Sequence, residues 1–182
     1  MTILMAVAAI GVPRLLSWVD EGNMGAECRR MAGMMRYVRN EAVRRQKSLF
    51  LTLDMEERAY WVEVRREQDE LSKPSFYSSW DDSDDLEYEP YEDDLVGRRE
   101  LRKRLVFDRV AFDDGSEEQL GTVRIEFRPD GTSETVAVYF MLNEHRKATV
   151  MLNGDTGRVK VFDSEEEIEP RPVLYEDYDL GE

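Results

Sequence analysis

A few short stretches carry residue types that could do chemistry. Asp155-Thr156-Gly157 spells the catalytic triplet of aspartic proteases. That reaction needs two carboxylates about 3 Å apart sharing one proton, and the chain holds no second copy of the triplet. The triplet also lies inside "NGDTGR", residues 153–158, whose residue types tolerate positive φ and favour a hairpin turn. A second candidate is the acidic run from Asp81. Asp81, Ser83, Asp85 and Glu92 fall at positions 1, 3, 5 and 12 of a calcium loop. Position 6, which needs glycine for the sharp turn, is Leu86, and Pro90 interrupts the run, so a solvated acidic loop is expected instead. Cys28 is the single cysteine, and with no partner in the chain it reads as a small buried apolar residue. His145, the single histidine, has no catalytic or metal partner nearby in sequence. Tyr60, Trp61 and Trp80 read as core or loop anchors. No nucleophile constellation or phosphate loop is present, so the chain reads as a non-enzyme with no cofactor, no metal and no small-molecule substrate.

Composition narrows the partners. The chain has 182 residues and a formal net charge of −15, with 36% charged and 41% apolar residues. That length suits one domain with appendages. A strongly acidic chain is a poor partner for a phosphate backbone, which needs clustered lysine and arginine, and no nucleic acid is expected. Arg29, Arg30, Arg36, Arg39, Arg44 and Arg45 do gather on one helix face, but opposite so much acid they read as a solvated face.

The elements that would position these residues follow from periodicity. Met24, Cys28, Met31, Met35, Val38 and Ala42 recur at spacings of 4, 3, 4, 3 and 4, one apolar stripe along a helix. Pro13 and the pair Gly22 and Gly25 are weak points. If they only bend it, one helix runs from Met1 to about Lys47, some 60–70 Å at 1.5 Å per residue. After it the period changes to two. Leu49, Leu51 and Leu53 form a strand, joined across a polar turn at residues 54–58 to a second strand at 59–64. Residues 105–107 and 110–112 are short strand candidates. Val123, Ile125 and Phe127 alternate, "RPDGT" turns the chain, and Val136, Val138 and Phe140 alternate again. Residues 149–152 and 159–162 flank the "NGDTGR" turn. Two stretches stand outside this pattern: an acidic insertion at about 66–100 and an acidic tail at 163–182, both expected to be solvated or disordered.

The fold class expected is therefore α+β: a long N-terminal helix packed on six to eight short antiparallel strands, in one sheet or two. Its parts would be a hydrophobic helix half at 1–18, an amphipathic half at 19–47 that lies on the sheet, a β domain at 48–162 and the tail. The first half, whose residues 1–13 "MTILMAVAAIGVP" carry no charge, needs an apolar partner of its own. It is short of the roughly 20 residues of a membrane span, lacks the basic flank and placed cleavage site of a secretory signal, and suits either a buried core helix or a membrane segment lacking its beginning.

The ordered combination of these features resembles the GspH/FimT group of minor pseudopilins. The residues that carry the resemblance are the apolar segment ending at Pro13, the helix exit at residues 39–54 ("RNEAVRRQKSLFLTLD"), the turn at 127–132 ("FRPDGT") and the hairpin at 152–161 ("LNGDTGRVKV"). The resemblance implies a subunit that acts by assembly in a type II secretion or type IV pilus-like system. It implies other pseudopilins as partners, an inner-membrane location through a single-pass helix, and a periplasmic β domain extractable into a filament that supports export. The membrane and assembly residues would be Ile3, Leu4, Val7, Ile10 and Pro13. The family's short leader, its Gly-Phe-Thr-Leu start and the Glu that follows have no counterpart here; either an upstream portion is missing, which is the favoured expectation, or this copy has lost processing. The competing reading is a soluble partner- or ligand-binding β domain whose N-terminal helix is a core element.

Overall fold

A computed structural model describes residues 2–66, 87–143 and 146–162, with side chains from Met24 onward. Trp80, Asp81, Ser83, Asp85, His145 and the tail 163–182 lie outside the described residues, as do the side chains of Ile3, Leu4, Val7, Ile10 and Pro13.

Helix α1 spans Thr2–Arg45 without a break. Pro13 and Gly22 are absorbed rather than ending it, which one lost backbone hydrogen bond and a weak propensity do not forbid. It stops at Arg45, two residues before the expected Lys47. Arg44 and Arg45 in the last turn favour the negative end of the helix dipole. Gln46 then adopts φ 56°, and the Lys47 N–H returns to the Ala42 carbonyl at 3.2 Å, so the terminal carbonyls are satisfied by a left-handed cap.

Two antiparallel sheets follow. The first holds β1 (Leu49–Asp54), β2 (Ala59–Arg65), β3 (Tyr88–Pro90), β4 (Arg99–Glu100) and β7 (Thr122–Phe127), in the order β3-β2-β1-β7 with β4 also on β2. The second holds β5 (Leu105–Phe112), β6 (Glu117–Glu118), β8 (Val136–Leu142), β9 (Arg146–Leu152) and β10 (Val159–Phe162), in the order β10-β9-β8-β5-β6. Register explains the core. Leu49 faces Val64 and Phe127, Leu51 faces Val62 and Ile125, and Leu53 faces Tyr60 and Val123 across neighbouring strands. Three apolar rows thus line one face of the first sheet, where cross-strand pairs reinforce each other. They join the helix stripe and Phe107, Val138, Phe140, Val150 and Leu152 of the second sheet in one cluster.

Three differences from the sequence reading have physical causes. The two fragments at 105–107 and 110–112 are one strand, β5, because a register shift between Phe107 and Arg109 lets the chain bulge and continue. Strand β8 buries both faces, since Ala137 and Tyr139 meet Ala111 on the outer side and the Arg109 guanidinium lies 4.2 Å over the Tyr139 ring. The described end of the acidic insertion, residues 87–100, is not a loose loop. Tyr88–Pro90 and Arg99–Glu100 extend the first sheet, and Val96 is buried in the core. Val96 faces the core and Tyr91 packs against it, while Leu95 and most of the acidic residues stay exposed, a pattern that the local charge density hides.

Candidate functional site

Helix α1 holds the candidate site residues, and the structure defines the seat of its second half. Met24, Cys28, Met31, Met35, Val38 and Ala42 are all essentially inaccessible to water, together with Ala32 and Met34. They pack where α1 crosses β1, β7, β8, β9 and β10.

Two carboxylates share that buried face. Glu27 lies three residues after Met24 and Glu41 three after Val38, so helical spacing places both beside the stripe. Each is held by a tyrosine and by arginine. The Tyr60 hydroxyl donates to Glu27 at 2.7 Å and Arg30 to its other oxygen at 2.6 Å. Burial first, and then Glu27, raise the Tyr60 phenol well above its ordinary value. Glu41 accepts from Arg44 at 2.5 and 2.8 Å, from Arg45 at 2.9 Å and from the Tyr91 hydroxyl at 2.7 Å. The Arg44 hydrogen bonds, then those of Tyr91 and Arg45, hold the carboxyl down at about 2. Beside it the Tyr37 hydroxyl donates to Asp93 at 2.7 Å, and that bond, helped by burial, pushes the phenol up to about 12. Tyr91 and Asp93 come from the acidic insertion, so this stretch straps the last turns of α1 to the first sheet.

The arginine face is not wholly solvated. Arg36 donates to the Val159 carbonyl at 2.9 Å, occupying a backbone acceptor of edge strand β10. Arg39 donates from Nε to the Gly131 carbonyl at 2.8 Å. Gly157 has φ 65°, and a Cβ there would run into the Arg39 guanidinium. One helix side chain therefore rests on both glycine turns, "RPDGT" and "NGDTGR". Arg39, Gly131 and Gly157 belong to three of the four separated stretches of the family resemblance, and here they touch.

The other chemical candidates resolve simply. Asp155 is exposed in the hairpin turn, and its neighbour Thr156 is bound through N–H and hydroxyl to the Asn153 side chain at 2.9 and 2.5 Å. Trp61 lies on the outer face of the first sheet, where its indole donates to Glu63 at 2.8 Å and Arg98 lies 4.4 Å over its ring. Thr52 and Arg124 donate to the same carboxylate at 2.7 and 3.0 Å. Burial acts to raise Glu63, but these three donors outweigh it and the carboxyl ends below its ordinary value. This is a satisfied polar patch. Among the described residues no group of three or more potential ligands could hold a metal ion, and no helix is long and apolar enough to cross a membrane.

Sequence reasoning missed Glu27, Glu41 and the inward turn of Arg36 and Arg39. The signal for the glutamates was present in their spacing from the stripe. For the arginines there was none, because their acceptors are backbone carbonyls in strands and turns far along the chain.

The family model of the type II transport protein GspH matches residues 27–156. The chain belongs to the GspH family. The match begins at the buried Glu27 and ends inside the turn that seats Arg39, so it spans most of the packed half of the helix and every described strand but β10. Among solved structures, the minor pseudopilin EpsH from the type II secretion system of Vibrio cholerae aligns with a TM-score of 0.60 at 8% identity, over 81% of this chain and 99% of that one. A second EpsH structure from Vibrio cholerae gives 0.59 at 8%, over 80% and 99%. At that identity the likeness is one of fold: a single helix on antiparallel sheets. Comparison with curated proteins finds no match.

Proposed function

We propose that this GspH-family chain is a minor pseudopilin subunit of a type II secretion system that works by assembly through the first half of α1. The β domain would face the periplasm, and residues 1–18 would hold the subunit in the inner membrane until it packs with other pseudopilins in a filament that supports export. Ile3, Leu4, Val7, Ile10 and Pro13 would form the membrane and assembly surface. The observation that carries this reading is a helix out of proportion to its seat. Forty-four residues make about 66 Å of helix, whereas β5, with eight residues the longest strand, extends only about 27 Å. Residues 24–45 suffice to reach across the sheets. The rest, residues 2–23, begins with an uncharged apolar run through Pro13 for which the fold of the β domain has no need.

The buried stripe from Met24 to Ala42 also favours the competing view, a β domain with a core helix, but only for the second half of α1. The two are separated by a substitution in the first half. Val7→Asp should leave the β domain folded and shift the protein from the membrane fraction to the soluble one. A Val7→Asp protein that still fractionates with membranes would remove the main support for assembly through this segment.

A further inference from the structure

We propose that the outward face of the second sheet is a docking surface for the chain's own C-terminal segment, residues 163–182. The proposal does not depend on how the first half of α1 is used. An antiparallel sheet that turns one face to water alternates apolar and polar side chains. Strand β8, "VAVYFML", does not, because it has no charged residue on either side. The helix and the first sheet lie on its inward side, with Val136, Val138 and Phe140, while Ala111, Ala137 and Tyr139 form a cluster of their own on the outward side.

Register lays that outward face out in rows. One row runs Arg109, Tyr139, Thr149, Phe162 across β5, β8, β9 and β10, and the next runs Ala111, Ala137, Met151, Lys160. Their burial is that of a covered surface. Ala137 is 0% exposed, Thr149 2% and Ala111 4%. The Arg109 guanidinium lies over the Tyr139 ring, but Ala137 and Thr149 are short, and short side chains on a face left to water stay partly open to it.

The segment that begins where this face ends is the tail. Phe162 closes the first row on edge strand β10, and Asp163 follows it directly. From β10 to β5 is three strand spacings, about 14 Å, and the tail can extend about 65 Å. Its apolar residues Ile168, Val173, Leu174 and Tyr175 are spaced by Pro170 and Pro172. Prolines lack the N–H for a sheet edge and suit a chain laid over side chains. Charge agrees with this. The acids of the face, Asp108 and Glu117, are taken up by Arg109 and Lys147. Lys160 just precedes Phe162, and Lys147 lies beyond its partner Thr149, so two lysines flank the start of a tail with nine acidic residues against Arg171 alone. Tethering makes the contact intramolecular, so modest apolar burial suffices. Docked, the tail would close an apolar sheet face against a second copy of the chain.

A spin label on the full chain in detergent micelles tests this. Glu176→Cys places the label beside the apolar stretch, and the buried Cys28 is out of its reach. The expected result is loss of the backbone signals of Tyr139, Thr149 and Met151, independent of protein concentration, with those of Thr52 and Glu63 on the first sheet retained. Adding Val173→Asp and Leu174→Asp should restore the lost signals, with the unchanged first-sheet signals reporting the fold. Self-association should then rise in sedimentation, as the uncovered face meets a second copy. Signals of the second sheet that survive the label overturn the proposal. So does a loss that grows with concentration, which would place the tail on a second copy, or a loss that persists in the double aspartate variant.

Discussion

The two halves of α1 are one continuous helix with opposite needs. From Met24 to Arg45 the sequence alternates an apolar stripe with charge, and every stripe residue has a partner within the same chain. Even the two carboxylates on that face are tied, one to Tyr60 and one to Tyr91. Residues 1–13 have no charged residue and no polar face to leave in water. A self-satisfied helix half needs only its own sheet. The uncharged run at residues 1–13 is the part that the proposed assembly would cover, and that contrast is the physical content of the proposal.

Breaking the packed half should cost stability. The largest effect is expected from the centre of the stripe: Met35→Ala should lose about 2–5 kcal/mol, from transfer and cavity terms together, read by chemical denaturation of the β domain. Gly157→Ala comes next, because it puts a side chain at positive φ and against Arg39. About 1–3 kcal/mol is expected, with part recovered in a Gly157→Ala and Arg39→Ala double variant, since that removes the collision but not the backbone strain. Smaller again is Tyr60→Phe, which leaves Glu27 buried with one donor fewer and should cost about 1–3 kcal/mol toward the low end, as Arg30 remains.

The smallest effect is a pH dependence that sharpens the comparison. Glu41 is held at about 2 in the folded chain by Arg44, Tyr91 and Arg45, below an unfolded value of about 4.3. A depressed carboxyl contributes stability that is fully present above the unfolded value and is lost as pH falls through the folded one. Melting temperature should therefore drop between about pH 4.5 and 2, and Glu41→Gln should flatten that slope. A slope unchanged in Glu41→Gln would mean that the strap from residues 91–93 does not depend on the charge.

Much of this fold was legible in the sequence. Spacings of 4 and 3 set the buried face of α1, and alternation set β1, β2, β7 and β8, because both periods report which side of an element meets the core. Tyr88–Leu101 was not legible. Its inward residues, Tyr91, Val96 and Leu101, are too sparse among acids to make a period, and their partners lie on β2 and α1. Arg36 and Arg39 were read as solvated because charge pattern alone cannot show a distant carbonyl acceptor. The family resemblance rested on turns that are each ordinary. Their combination became physical once Arg39 was found resting on Gly131 and Gly157.

The account turns on the first half of the helix, and membrane fractionation of Val7→Asp beside Met35→Ala tests it most directly. The account predicts that Val7→Asp melts like the unaltered chain but leaves the membrane fraction, whereas Met35→Ala melts earlier and stays with it. Val7→Asp remaining with the membrane, or losing the fold of the β domain, would contradict the division of α1 into an outward-serving and a self-serving half.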